Sequence, residues 1–320
     1  MKRYFFICPV LVFLACTCST ETALQRLLGT AAAAPVFYGC KVPVEGEVQF
    51  LFSSEVKVLS MYLDPPMETE ILDQGETVNI RISTSLPGGS KVTADILVED
   101  GNKNTLNVLA SFRTRNSRMP AFVINEIRTA YSKPKVEFIE LKILKGGNLG
   151  ALRLFAAYDK GEEPLFEFPP VEVRTGEYIV VHTRSIEEGL KDETGTNLSA
   201  SRGTDSSPGA RDFWIPGAVK LHSTNALYGM DQDNRIIDGV LLSNSEYKWK
   251  EPVAAAARLM ADQGAWAGPE PGDAFNSDGN TATRTICRTA QPDSNSAADW
   301  YITVTSGATP GKANNPGRYK

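Results

Sequence analysis

The chain has 320 residues and a formal net charge of −5. Mild acidity disfavours nucleic-acid binding, which runs on basic surface, and the length suggests roughly two domains of about 150 residues each. Glycine, proline and Ser/Thr/Asn punctuation between short apolar runs favours an all-β chain, and beyond the N-terminus no stretch approaches the roughly 20 apolar residues of a transmembrane helix.

Met1-Lys2-Arg3 precedes an apolar run from Tyr4 to Ala15. A short basic segment followed by about 7–15 apolar residues reads as a secretory signal, here residues 1–15. The run ends in Phe13-Leu14-Ala15-Cys16, which resembles a bacterial lipobox, with Phe13 where Leu is more usual. The resemblance implies lipidation of Cys16, cleavage just before it, and membrane attachment through the lipid. Each buried CH₂ would contribute about 0.8 kcal/mol. Cys18 is a second candidate; the plain alternative is an ordinary cleaved signal with incidental cysteines. Residues 16–34 read as a tether, with a short helix over Glu21–Leu28 and a run of alanines, Ala31–Ala34, before Pro35. Cys8 leaves with the signal. An exported chain permits a disulfide among Cys18, Cys40 and Cys287, but spacing assigns none. With no C-x-x-C and only His182 and His222, a structural zinc site is not expected, and nothing calls for a cofactor.

Residues 35–120 alternate in period two. Val48, Phe50 and Phe52 form one run; Val78, Ile80 and Ile82 a second; Val92 to Val98 a third; Leu106 to Phe112 a fourth. Asp64-Pro65-Pro66, Asp73-Gln74-Gly75, Pro87-Gly88-Gly89 and Asp100-Gly101-Asn102 separate such runs as turns. This predicts a small antiparallel sandwich. Asp100-Gly101-Asn102 followed by Phe112-Arg113-Thr114 resembles the end of a bacterial Ig-like domain, which implies a spacer or adhesion module. Asp100 and Asn102 are read as a turn, with Ca²⁺ ligation as the alternative.

Residues 121–316 carry a longer pattern. Val123-Ile124-Asn125-Glu126-Ile127 precedes Glu137-Phe138-Ile139-Glu140-Leu141. Leu149 to Leu154, Phe168-Pro169, Thr175 to Val181 and Asp231 to Val240 follow. Arg288, Asp293-Ser294-Asn295, Asp299-Trp300 and Thr309-Pro310-Gly311-Lys312-Ala313-Asn314 close it. Blocks in this order resemble the lamin-tail domain family. The likeness implies a second Ig-like β-sandwich with Asn125, Glu126, Glu137, Glu140, Asp238, Asp299, Trp300, Pro310 and Gly311 as framework. Residues 184–220 and 243–283 lie outside the pattern and read as inserted loops. Glu251-Pro252 before Val253–Met260 predicts a helix within the second. Asn234 tolerates positive φ, so Asp233-Asn234 suits a tight hairpin.

No G-x-S-x-G elbow, P-loop or H-E-x-x-H occurs, so the expectation is a protein without catalysis. Glu126, Glu137 and Glu140 are the best carboxylates for glycoside hydrolysis, against a framework role. Asp231, Asp233 and Asp238 are weighed as a metal cluster against hairpin geometry. A Ser–His pairing at His222-Ser223 has no oxyanion signature beside it. Arg211, Phe213 and Trp214 form either a binding hot spot or the packing of an insertion. The reading is an all-β chain of two tandem sandwiches behind a signal and tether. Its expected role is binding, scaffolding or adhesion at the cell envelope, possible surface exposure included, with a protein or polysaccharide partner and no nucleic acid. The alternative is a metal-dependent hydrolase or nuclease accessory protein.

Overall fold

A computed structural model describes residues 34–83, 86–290 and 292–320. The signal, Cys16, Cys18 and the tether up to residue 33 lie outside the described residues.

Seven strands come first: β1 (Phe37–Lys41), β2 (Glu47–Phe52), β3 (Val56–Asp64), β4 (Thr69–Asp73), β5 (Thr77–Ile82), β6 (Lys91–Asp100) and β7 (Thr105–Arg113). They make a four-stranded sheet, β1-β2-β5-β4, and a three-stranded sheet, β3-β6-β7. The cause is visible in the alternation. Val48 and Phe50 on β2, Val78 and Ile80 on β5, and Ala94 and Ile96 on β6 all point into one core and are almost fully buried. Phe50 and Phe112 close that core edge to face, with ring centroids 6.1 Å apart. Period-two reading misses β3 because a bulge between Val58 and Ser60 shifts its register by one residue. It misses β4 because every residue of that edge strand is exposed.

Thirteen strands follow: β8 (Ala121–Arg128), β9 (Phe138–Lys145), β10 (Gly147–Asn148), β11 (Arg153–Ala156), β12 (Pro164–Glu167), β13 (Glu172–Val173), β14 (Tyr178–His182), β15 (Ala210–Trp214), β16 (Asn225–Met230), β17 (Ile236–Ser243), β18 (Phe275–Asn276), β19 (Ile286–Arg288) and β20 (Trp300–Ile302). A six-stranded sheet, β15-β14-β9-β8-β19-β20, and a five-stranded sheet, β12-β11-β16-β17-β18, contribute to one core. Ile124, Ile139, Leu141 and Val181 enter it from the first sheet; Leu154, Leu227 and Leu241 enter from the second. Helix α1 (Ala157–Lys160) is one turn long. Helix α2 (Glu251–Asp262), with Pro252 in its first turn, buries Val253, Ala256, Ala257 and Met260 in the same core. The chain is thus an all-β fold of several sheets.

Of the segments read as inserted loops, the second carries the expected helix, α2, and both also add strands. Residues 184–220 supply β15, which pairs in parallel with β14 and extends the large sheet. Residues 243–283 supply α2 and β18.

A short connection holds the two cores together. The Asn116 side-chain amide donates to the carbonyls of Asn148 (2.7 Å) and Gly150 (2.8 Å). Arg115 grips Asp233 with two bonds of 2.6 Å. Gly89, at φ +81°, lies so close to Gly150 that a Cβ there would sit 2.2 Å from the Gly150 carbonyl carbon. A side chain at either glycine would push the sandwiches apart. Replacing Asn116 by Ala strands two buried carbonyls and is expected to lower stability by about 1–3 kcal/mol. Denaturant melts of wild type and Asn116→Ala, followed by tryptophan fluorescence, check this.

Candidate functional site

Strands β8 and β9 set the site. Leu141 and Ile139 face the core, so Glu140 and Lys142 face outward. A bulge between Ile124 and Glu126 interrupts the β8–β9 register and turns both Asn125 and Glu126 to that outer side. Glu126 and Glu140 are then direct cross-strand partners. They belong to a rung that crosses the whole sheet: Tyr301, Cys287, Glu126, Glu140, Val180 and Asp212.

An outward glutamate is normally solvated. Here both are fully buried because the segment Thr309–Asn314 lies across them as a strap. Glu126 accepts the Thr285 hydroxyl at 2.6 Å and the Thr309 N–H at 3.1 Å from each oxygen. Glu140 accepts the Asn125 amide and the Gly311 N–H, both at 2.6 Å. Gly311 sits at φ +79°, where a Cβ would strike Gly209, so glycine is required there. Pro310 offers its carbonyl to the Ser207 hydroxyl at 2.7 Å. Asn314 completes the clasp, its amide reaching the carbonyls of Asn125 (3.0 Å) and Arg288 (2.9 Å).

The electrostatics follow from burial. Loss of water, and then the charge of Glu126, push the Glu140 carboxyl up to about 8. Burial also raises Glu126, against the hydrogen bonds from Thr285 and Thr309. The Cys287 thiol beside them is pushed up by burial and by Glu126, so it is inert rather than nucleophilic.

The other residues singled out in the sequence serve the same frame. Asp238 accepts the Ile124 N–H and an Arg288 guanidinium N–H, both at 2.6 Å, pinning the bulge. Burial nonetheless pushes Asp238 up to about 7. Glu137 holds Arg184 by bonds of 2.8 and 2.9 Å. Asp299 caps the turn at Ser294 and Ser296, accepting both N–H groups at 3.0 Å. Trp300 is a core residue with Arg288 over its ring at 4.7 Å.

Asp231, Asp233 and Asp238 do not converge on a metal position. Asp231 caps its own hairpin through the N–H groups of Asp233 and Arg235, Asp233 pairs with Arg115, and Asp238 pairs with Arg288. Asp100 is a turn former, accepting the N–H groups of Asn102 (2.8 Å) and Asn104 (2.9 Å). His222 is held by Asp159 at 2.7 Å and stacks on Tyr158 rather than on a serine.

The hot-spot reading of Arg211, Phe213 and Trp214 requires correction, because all three are buried. Arg211 spans Glu177 (2.8 Å) and two backbone carbonyls of residues 193 and 195. Phe213 packs edge to face on Phe168. Trp214 stacks on His182 at 3.8 Å and donates its indole N–H to Ser201. They fasten the 184–220 segment to the sheet.

What remains open to solvent beside the strap is a cleft of about 330 Å³. Tyr178, Lys142, Asn125, Arg288 and Tyr301 line it from five consecutive strands, and Asn314 and Arg318 close the far side. No carboxylate lines it. Sequence reasoning passed over Lys142, Tyr178, Arg318 and Tyr301, which lie far apart in the chain and form no motif. Only the sheet order brings them together.

The buried carboxylates make stability depend on pH. A carboxyl raised in the folded state adds stability below its unfolded pKa, and that stability is lost as pH rises toward the folded value. Between about pH 4.5 and 8 the folded chain therefore holds a proton on Glu140 that the unfolded chain has released. Glu140→Gln should flatten the fall in stability over that range by up to about 1.4 kcal/mol per pH unit, with Glu126 and Asp238 keeping the residual slope. Melting curves at pH steps across the window test it. Trp214→Ala should cost about 3–5 kcal/mol through lost packing, read as a lowered melting temperature.

Comparison with known proteins places these features. A family model described as the TP_1001 protein second domain matches residues 120–302. An uncharacterized protein of Treponema pallidum (strain Nichols) is 31% identical over 170 residues, covering 48% of this chain and 42% of that protein. The chain thus matches less than half the length of this relative. Among solved structures, a DUF4876 family protein from Bacteroides thetaiotaomicron VPI-5482 aligns at 13% identity and a TM-score of 0.29, over 86% of this chain and 93% of that one. The surface layer protein SbsC, domains 1-6, aligns at 11% identity and a TM-score of 0.23, over 70% and 43%. The family match spans more than half of the chain, with the bulge, the carboxylate pair and strands β8 to β20 inside it, and the chain belongs to the TP_1001 protein second domain family.

Proposed function

We propose that the protein is exported, anchored through a lipid on Cys16, and works at the cell envelope by binding or scaffolding rather than by catalysis. In this reading a bacterial Ig-like sandwich acts as spacer and a lamin-tail-like sandwich carries the recognition surface, for a protein or polysaccharide partner.

One observation carries it. The carboxylates that a hydrolase would need are spent on the frame: Glu126 and Glu140 hold the strap, Glu137 holds Arg184, and Asp238 holds Arg288. A general acid or nucleophile must reach its substrate within hydrogen-bonding distance, and neither Glu126 nor Glu140 meets solvent. The open, solvent-lined feature next to them is a cleft of cations, tyrosines and amides, which suits recognition. The basic-then-apolar N-terminus ending in Leu14-Ala15-Cys16 supports export and anchoring.

Growing cells with radiolabelled palmitate and immunoprecipitating the chain tests the anchor. Label is expected in wild type and absent in Cys16→Ala, with wild type in the membrane fraction. Label that survives Cys16→Ala, or an unlabelled wild type in the soluble fraction, refutes it. Protease treatment of intact cells then reports whether the sandwiches face outward.

A further inference from the structure

We propose that the cleft beside the strap binds a linear acidic polysaccharide, with Lys142 and Arg318 contacting its carboxylate or sulfate groups. This rests on the reading of the chain as an envelope binding protein and names the ligand class of that site.

Shape is the first argument. Tyr178 lies on β14, Lys142 on β9, Asn125 on β8, Arg288 on β19 and Tyr301 on β20. The lining therefore crosses four inter-strand spacings of about 4.8 Å, or roughly 19 Å. That length suits a stretch of polymer better than a single small anion.

Charge is the second. The chain as a whole is acidic, at −5, yet this cleft is lined by three cations and no carboxylate. Arg288 is committed to Asp238 and Asp293. Lys142 and Arg318 form no salt bridge among the described residues. Each instead lies over a tyrosine ring, Lys142 over Tyr178 at 5.8 Å and Arg318 over Tyr301 at 4.9 Å. Such contacts leave the positive head free to meet an anion. Glu140 is buried beneath the strap, and neither it nor Asp238 and Asp293, the partners of Arg288, line the cleft.

The third argument selects a polysaccharide over a peptide. A peptide strand adds to an exposed sheet edge, through backbone hydrogen bonds. This groove runs across the face of the sheet, where the ladders between β14, β9, β8, β19 and β20 already consume the backbone groups. Recognition must come from side chains, and half-buried Tyr178 offers a flat ring edge to a sugar while the cations take its acidic groups.

The test uses the full chain in detergent and affinity electrophoresis through gels carrying heparin, polygalacturonate, dextran or poly-glutamate. Retardation is expected with heparin or polygalacturonate, weakening with salt, and absent with dextran. The pair of substitutions Lys142→Glu and Arg318→Glu should weaken it at least about tenfold, whereas Lys57→Glu on the first sandwich should not. Melting temperature is measured on each variant, and Lys142→Gln with Arg318→Gln serves if the charge reversal unfolds the chain. Retardation by polygalacturonate shows that carboxylates alone suffice, and retardation by heparin alone shows that sulfate is required. Retardation by neither, or retardation indifferent to the cleft substitutions, overturns the proposal. Equal retardation by dextran removes its charge basis, and equal retardation by poly-glutamate reassigns the cleft to acidic peptides. Loss of palmitate labelling with polysaccharide binding intact would overturn the anchor alone, and the converse would overturn the ligand alone.

Discussion

Two carboxylates placed opposite each other on the outer face of a sheet are the constraint around which the second sandwich is arranged. Glu126 and Glu140 are cross-strand partners, and like charges so placed repel. Burying them without partners would cost several kcal/mol each. The chain answers by bringing two backbone N–H groups, from Thr309 and Gly311, and the side chains of Thr285 and Asn125 onto their four oxygens. That arrangement fixes the path of the strap, and the strap in turn forms one wall of the cleft. Arg288 ties the same region to the opposite sheet by meeting Asp238 on β17 and the Ile124 carbonyl on β8. Remove the carboxylate pair and the strap keeps only its contacts with Ser207 and its Asn314 clasp.

Much of the fold was legible because apolar alternation states directly which residues enter a core. The runs around Phe50, Ile80, Ile96 and Leu141 are strands with those residues inside. Alternation fails where geometry interrupts it. The bulge in β3 slips its phase, and β4 has no buried side to alternate with. It also fails for β15, in which all five residues are buried because both faces are covered. A continuous run such as Ala210–Trp214 then looks like a loop with a few large side chains, and its Arg and Trp look like a surface patch.

The site was legible in part. Asn125, Glu126, Glu140, Pro310 and Gly311 stand out in the sequence as parts of short blocks that resemble the lamin-tail pattern, and the structure gathers them at one clasp. Their separation along the chain says nothing of the hydrogen bonds that join them. Lys142, Tyr178 and Arg318 carry no such signal. Lys142 reads as the solvent side of a strand and Arg318 as a charged residue near the end of the sequence. Their shared position comes from sheet order, β14-β9-β8-β19-β20, which does not follow chain order.

The strap also dictates when folding can finish. Thr309 reaches Glu126 across 183 residues and Gly311 reaches Glu140 across 171. A chain emerging from a ribosome presents the two glutamates long before the groups that neutralise their burial. Until Thr309 and Gly311 have been synthesised, the hydrogen bonds that satisfy the two buried side chains cannot form. Closure by long-range contacts of this kind is slow, and synthesis order sets the earliest moment at which it can begin. The distance along the chain between the carboxylates and their clasp thus sets how early this face of the second sandwich can close.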